Sequence, residues 1–278
     1  MLRRLDRDVG IDRLRHQPLE TVAPTGEGIQ MRRLPLPQTN REELPYAADR
    51  ERVRRGELRG EELLRWLAAI APAGREKALE QLLGISECPN EPASLGDDLV
   101  GYSPSGVAPI VRAVFEAPVT REDIFIDLGA GLGKAAMVAH LLSGARARGV
   151  ELQPGLVDQA TARAAQLGLS EVSFVAADAR DAELDDGNVF FLYLPFTGAV
   201  LAAVLRRIHL VAERRDVVVC TLGLDLPSTD WLERRETDAF WLSIYDSRCG
   251  RGNAGRRRTR VRLSPLAEAI ACERAAPC

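Results

Sequence analysis

Lysine is almost missing from this chain of 278 residues: of its 37 basic residues only Lys77 and Lys134 are lysines, and the rest are arginines. Basic residues do not outnumber the 40 acidic ones, and the formal net charge is −3. The balance is as even in two parts, 16 basic against 18 acidic over residues 1–100 and 21 against 22 over residues 101–278. Neither part has the basic excess of a nucleic-acid-binding domain, which argues against nucleic acid as a partner.

Cysteine and histidine are also scarce. The five cysteines, Cys88, Cys220, Cys249, Cys272 and Cys278, are odd in number and widely spaced, with no C-x-x-C pair or His/Cys cluster to organise a metal. A reducing, cytoplasmic setting is the expectation. Cys220 lies in an apolar run, where a buried inert thiol is expected rather than a nucleophile. His16, His140 and His209 share no local motif and are expected to be structural or exposed. Long apolar runs are lacking too: the longest, residues 189–196, falls far short of a membrane span. The N-terminal MLRRLDRDVGIDRLR has no unbroken apolar stretch after its arginines, and Asp6, Asp8 and Asp12 argue against a transit peptide.

What the chain does contain is enough apolar material for a core, 46% hydrophobic against 28% charged residues, which excludes disorder throughout. Residues 1–60 are polar and interrupted by Pro18, Pro24, Pro35, Pro37 and Pro45, so an irregular arm is expected. Leu63, Leu64, Leu67 and Ile70, and then Ala78, Leu79, Leu82 and Leu83, recur at helical spacing and predict a helical pair. These 100 residues are taken as an arm with a helical extension, and residues 101–278 as the main domain. From residue 101 short β-branched or aromatic runs alternate with helical stretches, the pattern of a parallel α/β sheet. Strands are predicted at 124–128, 147–151, 172–176, 189–194, 217–222 and 240–245. Helices are predicted at 134–142, 155–167 and 198–211, with a weaker one near Trp231. The Gly-rich turn CGRGNAG and residues 256–263 predict a closing hairpin with 240–245. The six arginines of 251–262 are read as the charged edge of that hairpin.

The sharpest motif is Ile124-Phe-Ile-Asp127-Leu-Gly129-Ala130-Gly131-Leu-Gly133-Lys134, an apolar strand leading through a glycine turn into a helix. Glycine allows positive φ and close backbone approach, and the helix start offers free N–H groups to an anion. The glycines at 129, 131 and 133 leave Lys134 where a dinucleotide fingerprint needs its third glycine, which disfavours nicotinamide and flavin cofactors. Asp127 can order the loop or contact the ligand. Glu151 stands 22 residues beyond Gly129 at the end of the second predicted strand, where an acid accepts hydrogen bonds from ribose hydroxyls. Asp178 follows the third strand and can accept from an adenine amine. Tyr193, Pro195 and Phe196 form an aromatic and proline corner after the fourth.

Together these residues resemble the class I, seven-strand S-adenosylmethionine-dependent methyltransferases over about residues 100–264, with the wording IDLGAGLGK and GVELQPGLV similar to the non-SET protein-lysine branch. The resemblance implies a Rossmann-like three-layer α/β sandwich with a mostly parallel sheet and a C-terminal antiparallel hairpin. It implies S-adenosyl-L-methionine as cofactor and no metal. In it Gly129, Ala130, Gly131 and Gly133 shape the loop under the methionine moiety, Glu151 holds the ribose, and Asp178 with Ala179 recognises adenine. The resemblance also implies that Tyr102, in GYSPSGV, is the aromatic residue over the cofactor. One departure stands out. Amine methyltransferases of this fold often carry Asn or Asp, Pro, Pro, then Tyr or Phe after the fourth strand, where this chain has Tyr193, Leu194, Pro195 and Phe196. Methyl transfer needs an aligned nucleophile and exclusion of water rather than a strong acid. A protein lysine is the favoured acceptor over a small molecule; the alternative is a non-catalytic adenosine-binding module acting through protein contacts.

Overall fold

The computed structural model describes residues 46–85, 105–193, 197–239, 241–248 and 263–271. All the described residues belong to one compact unit within residues 43–278.

Seven strands form one sheet: β1 (Ile124–Leu128), β2 (Arg146–Glu151), β3 (Val172–Ala176), β4 (Val189–Tyr193), β5 (Val218–Leu222), β6 (Leu232–Arg235) and β7 (Leu242–Ser247). Their spatial order is β3-β2-β1-β4-β5-β7-β6. The first five are parallel, while β7 runs antiparallel to both β5 and β6. Alternation along the strands splits the core in two, as a sheet buried on both faces requires. Phe125, Phe191, Cys220 and Ile244 enter one cluster, whereas Ile126, Phe190, Leu192 and Val219 enter the other.

The first cluster is covered by α4 (Val107–Glu116), α5 (Lys134–Ser143) and α6 (Pro154–Gln166), and by α2 (Gly60–Ala68) and α3 (Pro72–Leu83) from the N-terminal part. The second is covered by α7 (Gly198–Ala212), with Val204 and Ile208 fully buried. The result is the expected Rossmann-like sandwich, mostly parallel with antiparallel C-terminal strands. Apolar spacing explains the helices: Leu63, Leu64 and Leu67 in α2, and Leu79, Leu82 and Leu83 in α3, are the buried residues that predicted them. Gly84, with φ 79°, ends α3 in the left-handed region that glycine favours.

Three expectations are corrected. The weak helix near Trp231 is the strand β6, whose charged sequence LERR suits an edge: Arg235 pairs bidentately with Asp246 of β7, and Glu233 and Arg234 are exposed. The antiparallel pair is therefore β6 with β7, one segment earlier than expected, and residues 256–262 lie outside the described residues. Part of the expected irregular arm is a helix, α1 (Ala47–Arg54), supported by the i,i+3 pairs Asp49–Arg52 and Glu51–Arg54 and by burial of Val53. Beyond the sheet, α8 (Pro265–Ala271), an unpredicted helix, starts behind Ser264, whose hydroxyl accepts from the Ala267 N–H at 3.2 Å, and buries Ala267 and Ile270.

Candidate functional site

The order of strands changes direction at β1, which has β2 on one side and β4 on the other; beyond the C-terminal ends of strands at such a switch point, open α/β sheets bind ligands. Register places those ends side by side. Leu128 pairs with Val150 and Leu192, and Glu151 pairs with Ala176, so the segments after β1, β2, β3 and β4 leave from one sheet edge.

The loop after β1 is shaped by backbone bonds and by glycines of positive φ. Gly129 and Ala130 both donate to the Val150 carbonyl, at 2.9 and 3.0 Å, which folds the loop back over β2. Gly129, Gly131 and Gly133 have φ of 86°, 53° and 82°, each in the region where a Cβ is strained. The loop ends directly at α5.

Asp127 is buried on the α5 side of β1. Burial pushes its carboxyl up to about 7, the neighbouring Glu151 charge adds to the rise, and the Ala136 N–H in the first turn of α5 acts in the opposite sense. Asp127 is an acid under the N-terminus of α5, whose N-cap Gly133 has no side chain to offer. Glu151 is half-buried and spans the loop. One oxygen accepts from the Gly131 N–H at 2.9 Å, the other from the Gln153 N–H at 3.0 Å. Each oxygen keeps a lone pair for a further donor.

The Ala177 N–H donates to the Glu151 carbonyl at 3.0 Å, so the chain beyond β3 continues beside β2 and brings Asp178 and Ala179 to the same edge. Asp178 is engaged with Arg180: Oδ1 accepts from its backbone N–H at 2.8 Å and from Nε at 3.0 Å, and Oδ2 from Nη2 at 2.6 Å. Arg180 thereby holds the Asp178 carboxyl below the usual carboxylate range. Tyr193 closes β4, half-buried and packed against the first core cluster. Tyr102, Pro195 and Phe196 lie outside the described residues.

Three features escaped the sequence reading. Leu152, directly after Glu151, is a large apolar side chain left 45% exposed at the site edge; its position behind the acid was the available signal. Gly149 sits opposite Phe174 in the β2–β3 ladder, and a Cβ there would stand 2.7 Å from Phe174 Cε1 and 2.6 Å from Ala130 Cβ. A Cβ at Gly133 would likewise meet Phe174 Cε1 at 2.5 Å. The Phe174 ring is thus wedged between a strand glycine and the last loop glycine, and glycine inside a strand is the usual sign of such an approach. The third is Lys134, buried and paired with Glu76 and Glu80 of α3, residues more than 50 positions away in sequence.

Residues 125–215 match a family described as "Methyltransferase domain". No curated protein matches the chain. Among solved structures the chain is similar to an RNA methyltransferase from Salinibacter ruber in complex with S-adenosyl-L-homocysteine, at 24% identity over 54% of this chain and 95% of that one, with a TM-score of 0.44. It is similar to geranyl diphosphate C-methyltransferase from Streptomyces coelicolor, in complex with magnesium, geranyl diphosphate and S-adenosyl-L-homocysteine, at 20% identity over 40% and 44% of the two chains, TM-score 0.34. A dimethyladenosine transferase from Plasmodium falciparum is similar at 12% identity over 44% and 43%, TM-score 0.37. The loop of three positive-φ glycines, tied to an acid at the end of the next strand, fits an adenosyl cofactor. Residues 125–215 are thus similar to a methyltransferase domain, and the glycine cradle with Glu151 suits S-adenosylmethionine as its cofactor.

Proposed function

We propose that the chain methylates an amine, with the side chain of a protein lysine ahead of a small molecule as acceptor, in the manner of the non-SET protein-lysine branch. The observation that carries the cofactor half of this reading is the bond from the Gly131 N–H to Glu151, which locks a glycine cradle and a carboxylate into one unit at the switch point of the sheet. When bound, S-adenosylmethionine supplies an electrophilic methyl group on a sulfonium. Gly129, Ala130, Gly131 and Gly133 would lie under its methionine part, and the free lone pairs of Glu151 would accept from the ribose hydroxyls. Exposed Leu152 offers an apolar surface beside that acid, and Asp178 with Ala179 would meet adenine, with Arg180 fixing the Asp178 carboxylate in place. Charge-assisted bonds of the Glu151 kind contribute about 1.5–3 kcal/mol when shielded from water.

At the acceptor side, Tyr193 is the polar side chain that ends β4, and with Pro195 and Phe196 it would line the corner and orient the nucleophile. No histidine base stands at that strand end among the described residues, which favours a nitrogen acceptor that needs only to lose a proton over an oxygen that needs a base. The even charge balance favours protein over nucleic acid as acceptor. Incubating the full chain with radiolabelled methyl donor and a cell extract tests this. Label in protein, and after hydrolysis in methyl-lysine, is the expected result; label in nucleic acid or solely in small molecules overturns the lysine assignment.

A further inference from the structure

Lys134 is one of the chain's two lysines and the first residue of α5, directly after the last loop glycine. Its side chain is only 4% exposed. A cation at that place is doubly unfavourable: it is removed from water, and it adds to the positive end of the helix dipole. Two carboxylates from the N-terminal helical extension offset this. Glu80 accepts from Lys134 Nζ at 2.9 Å, and Glu76, one turn earlier on α3, pairs with the same nitrogen. Glu76 is also engaged elsewhere: its second oxygen accepts from the Val107 N–H at 2.7 Å. Val107 is the first residue of α4, and its N-cap Gly106 has no side chain with which to satisfy the helix start.

A single carboxylate of α3 therefore ties together the starts of α4 and α5, and the start of α5 is the end of the cofactor loop. The neighbouring carboxylate Glu80 shares the lysine. Surface pairs of the same helical region, such as Arg65 with Glu61, are exposed and join nothing beyond their own helix. We propose that Glu76 is a positioning residue for the cofactor: with Glu80, it holds Lys134 and so fixes the geometry of the loop 129–133 in the form that binds S-adenosylmethionine. The helical extension is then part of the cofactor site. This inference rests on the site assigned above, and its test separates the two.

The test is calorimetric titration of the full chain with S-adenosylmethionine and S-adenosylhomocysteine, at a temperature where every variant is folded, alongside thermal denaturation. Wild-type binding establishes the site itself; no binding by wild type overturns both the site and this inference. Glu76→Ala and Lys134→Met are each expected to weaken binding of both ligands about tenfold, the double variant by less than the product. Lys134→Arg, which keeps the charge, is expected to restore most of the affinity. Two controls separate positioning from general stability. Leu82→Ala, in the buried face of the same helix, should lower Tm with little effect on affinity, and Glu61→Ala should change neither. If Glu76→Ala and Lys134→Met bind within twofold of wild type while their Tm falls, the cluster only holds the fold together and the proposal is wrong.

Discussion

Replacing Gly149 with alanine puts a methyl group where Phe174 and Ala130 already stand. The new carbon would lie 2.7 Å from Phe174 Cε1 and 2.6 Å from Ala130 Cβ, against the roughly 3.5–4 Å of a relaxed carbon contact. Either the ring or the loop must move by about 1 Å. Overpacking of this kind costs about 1–3 kcal/mol, offset by the ~0.5–1 kcal/mol that alanine gains over glycine inside a strand. A net loss of about 1–2 kcal/mol is expected, or a fall in Tm of roughly 2–8 °C for a unit of this size. Gly133→Ala should cost more, because the same ring blocks it and the backbone there has φ 82°. Gly155→Ala is the control, since nothing lies within 4 Å of its added carbon. Urea denaturation of the three variants, repeated in a Phe174→Ala background, reads the coupling. A Gly149→Ala variant within about 0.5 kcal/mol of wild type, or one equally destabilised without the Phe174 ring, would refute the wedge.

The titration of Asp127 makes a second expectation. Its carboxyl is held at about 7 in the folded chain against an ordinary 3.8, so its contribution to stability is full below pH 4 and declines as pH rises to about 7. Asp127→Asn should flatten that decline, seen as a smaller difference in urea midpoint between pH 5 and pH 8; equal differences in both proteins would contradict it. The same carboxyl, brought near a cationic cofactor, should lose its proton on binding, so affinity for S-adenosylmethionine rises from pH 6 to pH 8. Calorimetry in buffers of different ionisation enthalpy would show this release, and no net proton exchange would count against it. Tyr193→Phe should leave cofactor affinity nearly unchanged and lower methyl transfer, measured as label incorporation per hour; an unaltered rate would remove the hydroxyl from the reaction.

Where apolar runs were bounded by glycine or polar residues, the sequence located elements to within a residue or two: β1 and β3 match their expected spans, and β2 differs by one residue. Those strands are buried or lie beside buried neighbours, so hydrophobicity marks them. β6 is the opposite case. Its LERR has one buried residue, and its strand identity comes from pairing with β7, which no local pattern reveals. α1 is charged along most of its length and stands on ion pairs rather than an apolar stripe. The placement of the glycine loop, Glu151 and Asp178 at one sheet edge was legible because strand ends have a regular spacing in this architecture. The Asp178–Arg180 pairing, the ring wedged against Gly149 and the grip of Glu76 on Lys134 were not, because each depends on register or on contacts between distant segments.

Calorimetric titration of the wild-type chain and Glu151→Ala with S-adenosylmethionine, S-adenosylhomocysteine and NAD tests the central claim most directly. Wild type should bind the first two and not NAD, and loss of the carboxylate should weaken binding by at least about tenfold. Tight NAD binding, or affinity for S-adenosylmethionine that survives Glu151→Ala unchanged, would contradict the account.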